Sequence, residues 1–507
     1  MNIQQLLQLI SQQDVSSTVA ELQNGRGSKL PAVTEIDQQL DPEQHDVMNP
    51  SIRKKKRVVV DEDDNDYATE DLPDGVDPMA GRVYRDGTTG EKVRWEEVCR
   101  LPVSFQDLIV DRAVSFCFGL PVKLNATPAE DTQEADVLNA VDKILGQAKT
   151  RSINRDVARS IFSYTEGAEL WYVVESPTTA YGFPSKYKLR CQVLKPSKHM
   201  SLYPYFDETG DMIAFSREYD ITDNKQVTTK YFETWTDSQH FLWRSGDTGS
   251  WEVVEGYPRP NVIGKIPVIY GRQDKPEWYN VQRLIERLED MLSNRGDTND
   301  YHSNPKIKVK GTINSWAKKG DKNAIIELDE DADAEYMTWN QAPESSKQEF
   351  ENLKSLIYIL TQTPDISFES MHGLGQLSGT ALRTLFMDAH LKVARKRDIF
   401  DDYLQRRVSV ILAYLRLMNP EAGFVAACGS ILIEPEIVPY MINDESANIA
   451  LLTQATGGKA VMSQRTAIER AGYVDDVDQE QAQIQAEEAF GMTSAMGNAL
   501  EEGEGAE

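Results

Sequence analysis

The chain has 507 residues, 40% hydrophobic and 27% charged, so it can bury a large core and form two or more substructures of a soluble, globular kind rather than stay disordered. Its formal net charge of −27 argues against a tight, sequence-specific nucleic-acid binder, because such binding needs cationic side chains that displace phosphate counterions. The same charge suits a surface past which DNA slides without sticking, and a local basic patch would still allow contact.

No run of about 18 apolar residues is present, so no membrane-spanning helix is expected. The opening "MNIQQLLQLISQQDVSS" has neither a basic leader nor an A-x-A-like site and is not expected to be a secretory signal. Cys99, Cys117, Cys191 and Cys428 lie far apart and form no C-x-x-C pair; free, mostly buried thiols in a reducing compartment are expected.

Residues 1–85 are heterogeneous and are expected to be an arm, partly disordered. "QQLLQLISQQ" suits a short amphipathic helix, and the basic run Arg53–Arg57 sits beside an acidic one. That run has the composition of a nucleic-acid patch; it is read as a solvated charged segment, or as a self-neutralising arm against a neighbouring subunit. In residues 86–125 a buried helix is predicted through Leu108, Ile109, Ala113, Val114 and Phe116, with Gly119 as its stop and Pro121 beyond. Two more helices follow, the second leading into the strand "AELWYVV". Asp156, Glu166 and Glu169 invite a paired-carboxylate reading. No histidine or metal-ligand spacing accompanies them, and they are read as surface acids.

Residues 187–272 alternate and are rich in aromatic and β-branched residues, which predicts strands. Trp235, Trp243 and Trp251 are of the type that stacks on bases; in acidic surroundings they are read as sheet packing. A helix is predicted next, in "EWYNVQRLIERLEDMLSNRGDTND", where Val281, Leu284, Ile285, Leu288, Met291 and Leu292 line one face. In residues 304–343, Lys306, Lys308 and Lys310 at period two share one face of a strand, and Lys318, Lys319 and Lys322 follow. This zone is either a contact surface for DNA phosphate or an acidic partner protein, or an edge strand that its lysines protect from aggregation.

The helix "SSKQEFENLKSLIYILTQT" is stopped by Pro364. The loop 365–379 then carries "GLGQLSGT", glycine-rich and ahead of a helix, as phosphate-binding loops are. No lysine stands where a Walker loop needs one, no strand leads in, and the dinucleotide spacing fails, so nucleotide binding is not expected. The tip, Met371, His372, Gly373, Leu374, Gly375, Gln376 and Leu377, carries no net charge with His372 neutral. A helix capped by Ser378 or Thr380 is predicted from near Gly379 to Met418, roughly 60 Å if unbroken. Its Lys392, Arg395, Lys396 and Arg397 are read as a solvated face or as intersubunit salt-bridge partners. His390 has no second His or Cys at ligand spacing. An apolar strand, a helix, Ser463-x-x-Thr466 and an acidic helix close the ordered part, and residues 491–507 read as a disordered acidic tail.

Several of these segments occur in one order: "FGLPVKL"; Tyr164–Val174; the strand ending at Arg217–Tyr219; "GKIPVIY" running into the helix that ends in Asn-Asp; Ser378-Gly379-Thr380-Ala381-Leu382; and Ser463-x-x-Thr466. Over residues 100–490 that order resembles the siphophage-type portal proteins of tailed bacteriophages. The resemblance implies an α+β portal fold. Its parts would be an α/β wing (86–272), stem helices (273–303 and 344–364) flanking a small α/β clip (304–343), a tunnel loop (365–379), a long kinked helix (from 380) and a C-terminal crown (431–490). It further implies a ring of about twelve copies at one capsid vertex, assembled in the host bacterial cytoplasm, through which double-stranded DNA passes without sequence recognition. Large terminase, major capsid protein, scaffolding protein and a head-completion adaptor would be its partners. No cofactor, metal, catalytic residue or membrane belongs to that picture. The competing readings are a terminase-like ATPase or nuclease, which would need a Walker lysine or clustered acidic metal ligands, and an adaptor or scaffold, which would lack this length or the β-rich region.

Overall fold

The structure is a computed structural model. It describes residues 8, 10, 14–25, 30–60, 69–71, 77–129, 132–224, 226–246, 249–302, 307–310, 313–315, 327–328, 333–336, 343–366, 386–440, 445–457, 460–474 and 476–487. The described residues form a mixed α+β fold in two units, Met1–Asp365 with Asp388–Tyr440, and Ile366–Met387 with Met441–Glu507.

In the first unit, helices α1 (Val15–Asn24) and α2 (Val33–Leu40) precede a small sheet of β1 (Lys56–Val59), β2 (Thr69–Asp71), β3 (Val83–Arg85) and β4 (Lys92–Glu96), in the order β1-β4-β3-β2. The basic run lies at the start of this sheet, and Arg53, Lys55 and Arg57 of it are paired within the chain. Arg53 pairs with Asp297 at 2.5 Å, Lys55 with Asp77 at 2.6 Å, and Arg57 with Asp86 and Glu91 at 2.9 and 3.0 Å.

Helix α3 (Phe105–Phe118) leads through Gly119 to β5 (Lys123–Asn125), as the pattern predicts. Gly119 keeps a right-handed φ of −66°. Its lack of a side chain serves close approach instead: a Cβ there would lie 2.4 Å from the Ser115 carbonyl oxygen and 3.3 Å from Tyr440. Helices α4 (Gln133–Gln147) and α5 (Thr150–Tyr164) follow, then β6 (Glu166–Thr178), β7 (Ser185–Leu194), β8 (Met200–Phe206), β9 (Met212–Thr222), β10 (Thr228–Trp235), β11 (Gln239–Ser245), β12 (Trp251–Val253), β13 (Arg259–Pro260) and β14 (Val268–Arg272). β14, β6 and β7 form one antiparallel sheet. The other runs β12-β11-β10-β9-β8 with β13 on β11. Helix α1 lays Val19 and Leu22 on Phe232, Phe241 and Trp243 of the larger sheet. A second cluster, including Leu170, Leu194, Leu202, Phe215 and Trp235, joins the two sheets. Trp235 and Trp243 are therefore buried packing residues, as read from the sequence.

Then come α6 (Gln282–His302), the short strands β15 (Ile307–Lys310), β16 (Ile313–Ser315), β17 (Glu327–Leu328) and β18 (Asp333–Tyr336), α7 (Pro343–Leu360), the long α8 (Met387–Met418), α9 (Ala422–Ser430) and β19 (Glu434–Glu436). β15 pairs with β18 and β16 with β17, both antiparallel. α8 has 32 residues, roughly 48 Å of continuous helix. The predicted start of that helix, with Ser378 and Thr380, lies outside the described residues. In the second unit α10 (Glu445–Thr456) packs on α11 (Gln464–Ala471). The Ser463 hydroxyl accepts the Thr466 amide at 3.2 Å, so Ser463-x-x-Thr466 is a helix cap, and Gly472 ends that helix at φ +69°.

The reading of Glu166 and Glu169 as surface acids is wrong. The first six residues of β6, Glu166–Trp171, are buried in succession, because both faces of the strand are covered. Glu169 is fully buried and accepts from Arg407 Nε at 2.6 Å and Nη2 at 2.8 Å, and from Trp171 Nε1 at 3.0 Å. Arg407 Nη1 donates to Asn154 Oδ1 at 2.6 Å. Glu166 accepts the Tyr270 hydroxyl at 2.7 Å. Asp156 alone is a partly exposed surface acid, 3.4 Å from Lys195. Around the Arg407–Glu169 pair, Phe400 packs edge-on against Phe118 and Phe162 with centroids 4.9 and 5.8 Å away, and Tyr414 donates to the Trp171 carbonyl at 2.7 Å.

Breaking a buried pair strands a charge, whereas replacing both members with apolar groups removes the desolvation cost as well. Arg407→Ala is expected to destabilise the first unit by about 3–5 kcal/mol. The double change Glu169→Leu with Arg407→Met should recover most of that. Thermal unfolding followed by tryptophan fluorescence checks both, and equal loss in the single and double variants would contradict the account.

Candidate functional site

The elements that lead into and out of residues 367–385 converge on one buried carboxylate. α7 ends before Pro364, not at it. The Gln362 amide donates to the Ile359 carbonyl at 3.1 Å and the Thr363 amide to the Tyr358 carbonyl at 2.9 Å, with Gln362 at φ +50°. This pair of bonds satisfies the last carbonyls of the helix, and the proline follows where it does no harm. Four side chains fasten this end. Arg112 of α3 donates to the Pro364 carbonyl, Lys392 of α8 donates to the Thr361 carbonyl at 3.0 Å, Arg395 donates to the Gln362 side chain, and Lys354 lies 3.4 Å from Asp365.

Glu277, just before α6, sits at the centre. Lys392 Nζ lies 2.9 Å from one of its oxygens, Lys396 donates to the other, and Lys396 also donates to Gln273 at 2.8 Å. The side chains of Glu277, Lys392 and Lys396 are only 7%, 8% and 15% exposed. The sequence reading of these lysines as a solvated face or an intersubunit pair is thus corrected: their counter-charge is buried in the same chain. Burial works against the Glu277 carboxylate, but the two ammonium groups outweigh it and hold its pKa below the usual value. Burial pulls the Lys392 ammonium below its ordinary pKa, with Glu277 only partly offsetting it. Arg397 leans instead toward Glu436, 3.4 Å away.

α6 is fixed along its length by a second device. Glu289, Ser293 and Asp297 interrupt its apolar face at four-residue intervals. Each accepts one backbone amide of an extended segment: Val103 to Glu289 at 2.8 Å, Leu101 to Ser293 at 2.9 Å, and Cys99 to Asp297 at 2.6 Å. Four helical residues rise about 6.0 Å and two extended residues span about 6.6 Å, so the periods match. Glu289 also meets His45 Nδ1 at 2.6 Å, while His45 Nε2 lies 2.9 Å from the Gln39 carbonyl. Burial opposes charge on that ring, but the Glu289 carboxylate outweighs it and raises the His45 pKa. Of the predicted apolar face, Val281, Ile285, Leu288 and Met291 are buried, and Leu284 and Leu292 are half-buried. α6 packs on α7, with Arg287 and Glu349 2.8 Å apart.

Met371, His372, Gly373, Leu374, Gly375, Gln376 and Leu377 lie outside the described residues, as do Lys306, Lys318, Lys319 and Lys322. Lys308 and Lys310 fall on β15, where the register sets them opposite Glu335 and Asp333 of β18. Lys310 is exposed. The four cysteines are free. Among the described residues no group of three or more His, Cys, Asp or Glu could hold a metal ion, and no helix is long and apolar enough to cross a membrane. Among the described residues the arrangement is one of fastening.

A family model described as phage portal protein, SPP1 Gp6-like, matches residues 97–490. No curated protein matches the chain. Among solved structures, a chain from the neck of an empty GTA particle computed with C6 symmetry is similar at 12% identity and a TM-score of 0.38, over 73% of this chain and 90% of that one. A chain from the neck of a native GTA particle computed with C12 symmetry gives 11% identity and a TM-score of 0.36, over 72% and 88%. A chain from the virion of a native gene transfer agent particle gives 10% and 0.35 over the same shares.

Glu277 contributes stability that is present above its ordinary pKa near 4.5 and is lost as pH falls through its lower folded value. Glu277→Gln is therefore expected to lower the unfolding midpoint at neutral pH and to converge on the wild-type midpoint in acid. Parallel curves across pH 7 to 3 would show that the carboxylate charge does not matter.

Proposed function

Because the chain belongs to the SPP1 Gp6-like phage portal proteins, we propose that it forms the ring, of about twelve copies, through which DNA enters and leaves the capsid of a tailed phage. A portal or connector role follows from membership; the family match over residues 97–490 is the observation that carries it. On this reading the large terminase docks during packaging and a head-completion adaptor replaces it, while major capsid and scaffolding proteins surround the ring and assembly of the procapsid starts from it. Double-stranded DNA passes without sequence recognition. The protein is structural, with no catalytic step of its own and the virion as its final location.

Residues Met371–Leu377 would face the DNA. Their lack of net charge allows van der Waals contact without phosphate attachment, and the net charge of −27 disfavours sticking elsewhere. Lys306, Lys308, Lys310, Lys318, Lys319 and Lys322 would form a docking surface. The acidic residues opposite Lys308 and Lys310 bear on this: a surface of mixed charge favours a protein partner over DNA phosphate.

Negative-stain electron microscopy with native mass spectrometry tests the ring. Closed rings with a central channel and a mass near twelve chains are expected; a monomer that persists on co-expression with scaffolding protein would refute the reading. Deleting Met371–Leu377 is expected to leave rings intact and to impair packaging in a defined packaging assay. Normal packaging by the deletion would remove these residues from the channel.

A further inference from the structure

His45 closes the N-terminal segment onto α6. Single 3-10 turns, Pro42–Gln44 and Asp46–Met48, flank it, and the second packs on α6 with Val47 buried. His45 is 6% exposed and Glu289 is 2% exposed. Both ring nitrogens meet oxygens that accept. Nε2 lies 2.9 Å from the Gln39 carbonyl, which has no proton to give, so Nε2 carries one. Nδ1 lies 2.6 Å from Glu289 Oε1, the oxygen that also accepts the Val103 amide at 2.8 Å. Two bare lone pairs do not sit that close in a buried site, so a second proton lies between the ring and the carboxylate. With it, all of these contacts are satisfied.

The charged groups around the ring keep that proton in place. Glu286 and Glu289 of α6, Asp107 of α3, and Glu35, Asp41 and Asp46 of its own segment are all acids. The Lys198 ammonium acts on Asp41. A polar cavity of about 220 Å³ adjoins the ring, lined also by Gln282 and Asn49. It is wide enough for water, so the proton can pass to solvent without unfolding of the chain. Two other polar ties hold the segment. The Tyr164 hydroxyl donates to Asp37 Oδ1 at 2.9 Å, and the Trp278 indole to Gln39 Oε1 at 2.8 Å. Neither donor gives up its proton near neutrality: burial, with Asp37 adding to it, pushes the Tyr164 hydroxyl up to about 12, and an indole N–H only donates.

We propose that the His45–Glu289 pair is a proton-operated latch: with its shared proton it fixes residues 33–48 on α6, and loss of that proton releases them. Without the proton, ring nitrogen and carboxylate oxygen repel at contact distance, and the segment moves off. Burial opposes charge on the ring, but Glu289 outweighs it and raises the His45 pKa above its ordinary 6.5. The latch is therefore closed below that value and opens as pH rises through the higher folded value. It works within a single chain and stands apart from the ring reading.

Hydrogen exchange of the full-length chain, read by mass spectrometry and corrected for the intrinsic pH dependence of amide exchange, tests it between pH 6 and 10. Peptides within 33–48 are expected to lose protection in a single one-proton step as pH rises, while those of β6 stay protected. His45→Gln and Glu289→Gln should each abolish the step. Glu289→Gln keeps an oxygen for the Val103 amide and offers an N–H to a neutral ring, so it is expected to hold the segment at both ends of the range. Flat protection of 33–48 in the wild type, the same step in either variant, or a parallel loss in β6 overturns the proposal.

Discussion

Three buried cations on one helix organise the larger unit. Lys392, Lys396 and Arg407 lie on α8 and meet carboxylates that come from elsewhere in the chain, Glu277 ahead of α6 and Glu169 in β6. Lys396 and Arg407 are eleven residues apart, three turns, so they share a face about 16 Å apart along the axis. One pair fixes the helix to the α6–α7 region and the other fixes it to the central sheet. Hydrophobic contacts alone would allow the helix to slide or rotate by small steps at little cost. A buried ion pair does not, since a small shift strands a charge away from water. The pairs contribute position more than net stability, which is why apolar replacement of both partners is tolerable in energy yet would remove the register.

The backbone imposes the other constraint. Residues 99–103 run extended beside α6 without a strand partner, and their amides need acceptors. Glu289, Ser293 and Asp297 provide them at a spacing that matches the extended chain. A helix face that is otherwise apolar thereby carries three polar residues in line. The same face binds the N-terminal segment through His45, so residues far apart in sequence close on one helix without any disulfide or metal among the described residues.

How much of this was legible depended on whether the signal was local. Periodicity located α3, α5, α6, α7, the strands β6 to β11 and β14, because each buries a face that repeats within the element itself. The Ser463 cap was legible for the same reason. The roles of Glu169, Arg407, Lys392 and Glu277 were not, because a charged residue looks alike in sequence whether it faces water or a partner more than 100 residues away. A usable hint existed for Glu169: it sits inside the run "AELWYVV", where a strand covered on both faces leaves no solvent side for it. Polar Glu289, Ser293 and Asp297 on an apolar stripe were a comparable hint. The order of short motifs led to the family although no single motif was specific, since the constraint lay in their sequence along the chain.

On the proposed reading, these internal pairings bear on how so acidic a chain would let DNA pass. A conduit must not hold phosphate along its path, and cations are the groups that would hold it. Part of this chain's positive charge is spent on fastening: Arg53 pairs with Asp297 of α6, Lys55 and Arg57 pair with carboxylates around the small sheet, Lys392 and Lys396 pair with Glu277, and Arg407 is neutralised by Glu169. Using cations as internal clamps serves two requirements at once. It withdraws them from the surface that DNA would meet on the proposed reading, and it fastens the end of α7 and the start of α8, between which the uncharged stretch Met371–Leu377 lies in sequence.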